Sequence, residues 1–251
     1  MRKHMKRKPH HRAGRAVRVA ARHHSEEVFA LSKWRLKFSK KGMGKYISHL
    51  DLLRTFTRAI HRANLPVRYS QGFNPHQLIT FSLPLALGVT SETEFVDIDF
   101  EETASPREIG EALNKTLPPD IRILRISRPE LSANDIVSAR YEIDLSTSTT
   151  VEKATLEAFF AQENIPALKK TKKGEKEVNL RDFIVECEVS EVCGNKVKLN
   201  IVLSAGGSAN IKPDIVLGKL ALYLGFEEFE EMNIHRTEIF CSSGKEIKNF
   251  C

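Results

Sequence analysis

Residues Trp34–Ser39 (WRLKFS) alternate apolar and polar side chains, the period-2 pattern of a half-buried strand. Lys40-Lys41-Gly42 turns the chain, and a helical pattern follows. Ser48-His49-Leu50-Asp51 opens that helix, with Ser48 as N-cap and Asp51 placed to accept backbone N–H bonds and to favour the positive end of the dipole. At about 100° per residue, Leu53, Phe56, Ile60 and Ala63 share one side. Arg54, Arg58 and Arg62 recur every fourth position on the opposite side. The helix ends where Asn64, Leu65 and Pro66 follow.

Val67–Ser70 and Leu78–Ser82 read as strands around a turn, Gln71–His76. After a turn-rich segment, Pro84–Thr93, comes a strand at Glu94–Phe100. Ser105-Pro106 starts a helix reaching about Thr116, with Pro106 where its missing N–H costs nothing. Pro118-Pro119 stops it, and Ile121–Ser127 is another strand. After a polar connection (128–139) the order recurs. Strands are predicted at Tyr141–Ser146, Phe183–Val189, Lys196–Leu203 and Ile234–Phe240, with helices at Val151–Gln162 and Pro213–Leu224. The basic run Lys169–Lys176 reads as a hairpin or loop tip. A β-α-β-β-α-β order met twice predicts an α+β protein of two tandem ferredoxin-like modules, residues 34–128 and 140–251, with mainly antiparallel sheets.

The charge is unevenly placed. Of the net +7, residues 1–24 supply +9 (Arg2, Lys3, Lys6, Arg7, Lys8, Arg12, Arg15, Arg18 and Arg22, with no acid), which leaves the body at −2. Residues 1–33 therefore read as a disordered basic tail, either a solubilising extension or a holder of polyanions such as RNA. No apolar run is long enough to span a bilayer, and the tail lacks a secretory h-region. Cys187, Cys193, Cys241 and Cys251 show no Cys-x-x-Cys spacing, which predicts free thiols, a cytoplasmic setting and no metal or cofactor.

The turn holds the candidate chemistry. Gly72, Asn74 and Pro75 serve its backbone angles, whereas Phe73, His76 and Gln71 exceed what a turn requires. One reading folds Phe73 back as a local core with His76 capping the turn. The other stacks Phe73 and Tyr69 on bases while Gln71, Asn74 and His76 offer hydrogen bonds and Arg54, Arg58, Arg62 and Arg68 hold phosphates. His49, Asp51 and His76 form a weaker catalytic or metal-binding candidate. Gly206, Gly207 and Ser208, with Lys212 and Arg236, are a weak phosphate-binding candidate; Lys212 and Arg236 can equally pair with Glu227, Glu228, Glu230 or Glu231.

The run from Leu36 to Phe100, with its Ser-His-Leu-Asp and Gly-Phe-Asn-Pro-His motifs, resembles the bacterial radical-SAM-associated (radical-SAM-linked) family, whose role is not established. The later pieces "EVNLRDFI", "GGSANIKPDIVLGKL" and "IHRTEIF" resemble its second half, in order. That family usually continues Gly-Phe-Asn-Pro-His-Pro; Gln77 stands here instead. The resemblance implies a partner that carries radical-SAM chemistry, since this chain has no cysteine trio for an iron–sulfur cluster. The expected function is a non-catalytic accessory protein that binds tRNA or rRNA and presents it to that partner. The alternatives are an enzyme acting on RNA or a nucleotide, and a protein-docking module.

Overall fold

The computed structural model describes residues 33–101, 105–171, 174–207, 209–243 and 246–250. The predicted tail lies outside them except for Lys33, as do Ser208 and Cys251.

In the first half, β1 (Lys33–Lys40), α1 (His49–Arg62), β2 (Ile79–Phe81), β3 (Thr90–Asp99), α2 (Pro106–Thr116) and β4 (Ile121–Ser127) follow the expected order, except that Val67–Ser70, read as a strand, makes isolated bridges instead, Val67 with Phe100 and Tyr69 with Gln77. The strands lie as β4-β1-β3 with β2 on β3, all antiparallel. Leu36, Phe38, Val96, Ile98 and Phe100 of the sheet pack on Phe56 and Ile60 of α1 and Ile109 and Leu113 of α2. The Phe38 and Phe56 rings meet edge-on at 5.1 Å. Truncating a ring buried as fully as Phe56 costs about 3–5 kcal/mol, so this contact anchors α1 on the sheet. The buried side of α1 comprises Leu52, Phe56, Ala59 and Ile60. Leu53 and Ala63 are only half-buried, so the apolar stripe is rotated from the sequence expectation.

The ends of α1 match their sequence signals. Ser48 Oγ accepts from Asp51 N at 3.2 Å. Asn64 takes a left-handed φ of 51°, and Leu65 N returns to Ile60 O while Asn64 N bonds His61 O. That pair of bonds is a Schellman stop, which satisfies carbonyls the helix would leave open. At α2, Ser105 and Glu108 form a reciprocal capping box behind Pro106, a device worth about 1 kcal/mol.

The second half holds β5 (Ile136–Ser146), α3 (Lys153–Phe160), a separate hairpin of β6 (Pro166–Thr171) and β7 (Gly174–Asn179), then β8 (Ile184–Cys193), β9 (Lys196–Ser204), α4 (Pro213–Tyr223), β10 (Glu231–Ser243) and β11 (Glu246–Asn249). Its strands run β10-β5-β9-β8, all antiparallel, the same arrangement as the first half. Along β5, buried Tyr141, Ile143 and Leu145 alternate with exposed Glu142 and Asp144. This half is built on Leu156 and Phe159 of α3, Val216 and Leu220 of α4, and Leu199, Ile201 and Leu203 of β9. The β6–β7 hairpin falls on the basic run Lys169–Lys176, read from sequence as a hairpin or loop tip, whereas β11 has no counterpart in the sequence expectation.

The two halves share one nine-stranded sheet. β3 is long enough to serve both: Val96–Ile98 pair with β2, while Thr90 and Ser91 pair in parallel with His235 and Arg236 of β10. Phe250, beyond β11, crosses back to the first half, with its ring 4.0 Å from the Arg35 guanidinium and 5.1 Å from the Phe95 ring.

Candidate functional site

The turn that precedes β2 has a pinned neck and an open tip. Arg68 N donates to Asp99 O and Leu78 N to Arg68 O, which holds the two arms against β3. Ser70 N donates to His76 O at 2.8 Å, His76 N to Ser70 Oγ at 3.1 Å, and Ser70 Oγ meets His76 Nδ1 at 2.8 Å. His76 therefore closes the neck. Beyond it Gly72 takes a φ of 132°, a backbone state that a side chain would strain.

Phe73 stands at the tip with a relative exposure of 106%, so the reading in which it folds back as a local core is corrected. A phenyl ring left in water forgoes about 1.5–3 kcal/mol that burial would supply. Tyr69, Gln71 and Asn74 are also exposed. Gln77 is buried; its Nε2 reaches Tyr69 OH at 3.4 Å and Thr57 O at 3.5 Å, long bonds that tie the turn to the middle of α1.

Arg54, Arg58 and Arg62 are all exposed on α1. Arg54 Nη1 bonds Asp51 Oδ1 at 2.9 Å, and both side chains are more than half exposed, a pairing of about 0–1 kcal/mol that a phosphate can displace. Arg62 Nη2 donates to Thr116 O at 2.6 Å, capping the end of α2. Arg68 is half-buried, and its charge acts on Asp99. Next to the start of α1, Tyr46 is 59% exposed, with Lys45 Nζ 5.2 Å from its ring centre. Sequence reasoning missed this aromatic–cation pair; a Lys-Tyr step just before the N-cap was the available signal.

The catalytic candidates are each engaged separately. Hydrogen bonds from Ser48 and then Arg54 hold Asp51 below the usual carboxylate range, which suits a cap better than proton transfer near neutrality. His49 packs edge-on against the Phe81 ring at 5.4 Å, and His76 is bonded to Ser70. Among the described residues no group of three or more His, Cys, Asp or Glu is placed to hold a metal ion. Cys187, Cys193 and Cys241 are free thiols.

The glycine-rich segment serves packing first. A Cβ on Gly206, whose φ is 107°, would lie 2.1 Å from Ile136 O, so glycine is needed there for close approach to β5. Lys212 is exposed. Arg236 is 1% exposed, and its Nε bonds Glu94 Oε1 at 3.0 Å while Nη2 bonds Glu94 Oε2 at 2.7 Å and Leu83 O at 2.9 Å. Its carboxylate partner thus comes from β3 of the other half, so for Arg236 the alternative pairing with Glu227, Glu228, Glu230 or Glu231 is corrected. Burial opposes the charge on Arg236, but Glu94 and Tyr141 outweigh it and raise its pKa above the ordinary arginine value.

These features define an α+β protein of two tandem ferredoxin-like units, with an exposed aromatic turn tied through Gln77 to the arginine-bearing helix α1. Residues 33–213 match the family described as "Uncharacterized protein conserved in bacteria (DUF2344)", and the chain belongs to that family. No curated protein matches it. Among solved structures it is similar to a chain in the crystal structure of a Cbf5-Nop10-Gar1 complex, with a TM-score of 0.50 and 10% identity over 85% of this chain and 50% of that one. A chain in the structure of an H/ACA RNP bound to a substrate RNA containing 2'-deoxyuridine gives 0.48 and 10%, over 84% and 49%. The chain thus spans about half the length of the solved chains it matches. At this identity the first likeness establishes the fold alone. Among the described residues no helix is long and apolar enough to cross a membrane.

Proposed function

We propose that this chain is an RNA-binding accessory protein that grips a single-stranded segment on the turn and α1. The observation that supports this is the Phe73 ring, wholly exposed on a turn whose neck is pinned by Ser70 and His76. Every base has a π-face, so an exposed ring beside guanidinium groups suits unpaired nucleotides. Arg54 and Arg58 supply phosphate contacts, Tyr69 and Tyr46 further stacking surface. Transfer RNA and ribosomal RNA are the first ligands to examine. The second part of the proposal, delivery of that RNA to a radical-SAM partner, is supported by the sequence resemblance of the Ser-His-Leu-Asp and Gly-Phe-Asn-Pro-His motifs. A non-catalytic role fits side chains of His49, Asp51 and His76 that already have local partners.

Fluorescence anisotropy of labelled tRNA and of a single-stranded oligonucleotide tests the reading with the full chain. A base stacked on an aromatic contributes about 1–3 kcal/mol, so Phe73→Ala weakens binding by about fivefold to 150-fold. Arg54→Ala and Arg58→Ala each lower the slope of log affinity against log salt by about 0.7. Affinity for both RNAs unchanged by Phe73→Ala would refute the proposal.

A further inference from the structure

Where the halves meet, the loop before β3, the strands β5 and β10 and the start of α4 line a half-open pocket of about 230 Å³. Its walls are largely apolar, from Leu83, Leu85, Val89 and Ile211 among others. Its polar lining residues are different in kind: Arg236, Tyr141, Asn210 and Lys212. Among the described residues no carboxylate lines it. Lys169 Nζ donates to the carbonyl of Asn210, which adds a further cation at the rim.

Behind the cavity the charges do not balance. Lys40 and Arg236 are 2% and 1% exposed, and Glu94, 4% exposed, is the carboxylate that acts on both. Two buried cations share one buried carboxylate; Lys40 Nζ also donates to Ile47 O at 2.8 Å, so the ammonium is hydrogen-bonded while the net charge here stays positive. Burial first raises the Tyr141 pKa, so the phenol keeps its O–H proton.

We propose that this seam cavity binds a small organic anion, a single phosphate or carboxylate group on an apolar body. The acidic group meets Lys212, the Tyr141 hydroxyl and the field of Arg236 and Lys40, and the apolar body lies against the leucine-rich loop. The site is separate from the Phe73 surface and does not depend on RNA binding.

Isothermal titration of the full chain with phenyl phosphate, benzoate and the neutral benzamide tests it. Binding of either anion in clear preference to benzamide is the expected result, and the preferred anion identifies the head group. Lys212→Ala, a change at an exposed side chain, weakens that binding about tenfold, the loss of one charge-assisted contact. Ala86→Phe fills the cavity and abolishes it, with an unchanged melting curve in both variants to show the fold is kept. The proposal is overturned if neither anion binds, if benzamide binds as tightly, or if both variants bind like the unmodified protein.

Discussion

Replacing Glu94 by glutamine keeps the shape of the seam and removes one charge. Glu94 is 4% and Arg236 1% exposed, and the contacts between them run from 2.5 to 3.0 Å. Water cannot make up the lost charge at that depth. Removing one partner of a buried pair costs about 3–5 kcal/mol, and each kcal/mol lowers Tm by about 2–4 °C at this chain length, so Glu94→Gln lowers Tm by about 6–20 °C. The loss also depends on pH. Burial holds Lys40 below the ordinary lysine pKa; Glu94 pulls it up and Arg236 pushes it down. Without Glu94 the shift deepens, the folded state binds fewer protons than the unfolded chain, and stability rises with pH in the alkaline window below the ordinary lysine value. Thermal melts followed by circular dichroism from neutral to alkaline pH measure both effects. The double variant Glu94→Gln, Arg236→Met has no stranded guanidinium and recovers part of the loss. A neutral-pH Tm for Glu94→Gln within about 1 °C of the unmodified protein would mean the pair is not the joint described above.

Two further expectations concern single positions. Gly206→Ala puts a methyl group against Ile136 O at a positive φ, so β5 or the loop must move; the strain alone is about 1–3 kcal/mol, and chemical denaturation should show a lowered midpoint with an unchanged slope. Asp99 has its pKa raised, by burial first, with Lys33 and Arg68 opposing and Asp97 reinforcing. A carboxylate with a raised folded pKa contributes stability below its unfolded pKa that is lost as pH climbs through the folded one, so Asp99→Asn raises Tm at neutral pH and the gain disappears in acid. A gain that persists in acid would show that the charge is not its source.

Local signals were legible because they are local. Ser48 with Asp51, Asn64 with Pro66 and Ser105 with Pro106 each specify a helix end through bonds spanning few residues, and all three ends fall where the sequence puts them. The doubled β-α-β-β-α-β order survives for the same reason, since periodicity reports each element's own buried face. The joint between the halves was not legible. Glu94 and Arg236 are 142 residues apart, and an arginine looks the same in sequence whether it meets solvent, phosphate or a buried carboxylate. Phe73 illustrates the converse: an aromatic in a turn is compatible with inward or outward placement, and only the Ser70–His76 neck decides it. Tyr46 escaped because it sits in the short 3-10 turn Gly42–Tyr46, where no helical or strand period singles it out.

The doubly paired strand β3 sets a rule for anyone dissecting this molecule. Cutting the chain between Ser127 and Ile136 would produce two fragments that each look like a complete small fold, yet one would carry a lone guanidinium and the other a lone carboxylate on freshly opened edges. Such fragments would cling to each other, or to strangers, sooner than remain apart. Boundaries chosen for expression should therefore treat the pair as inseparable.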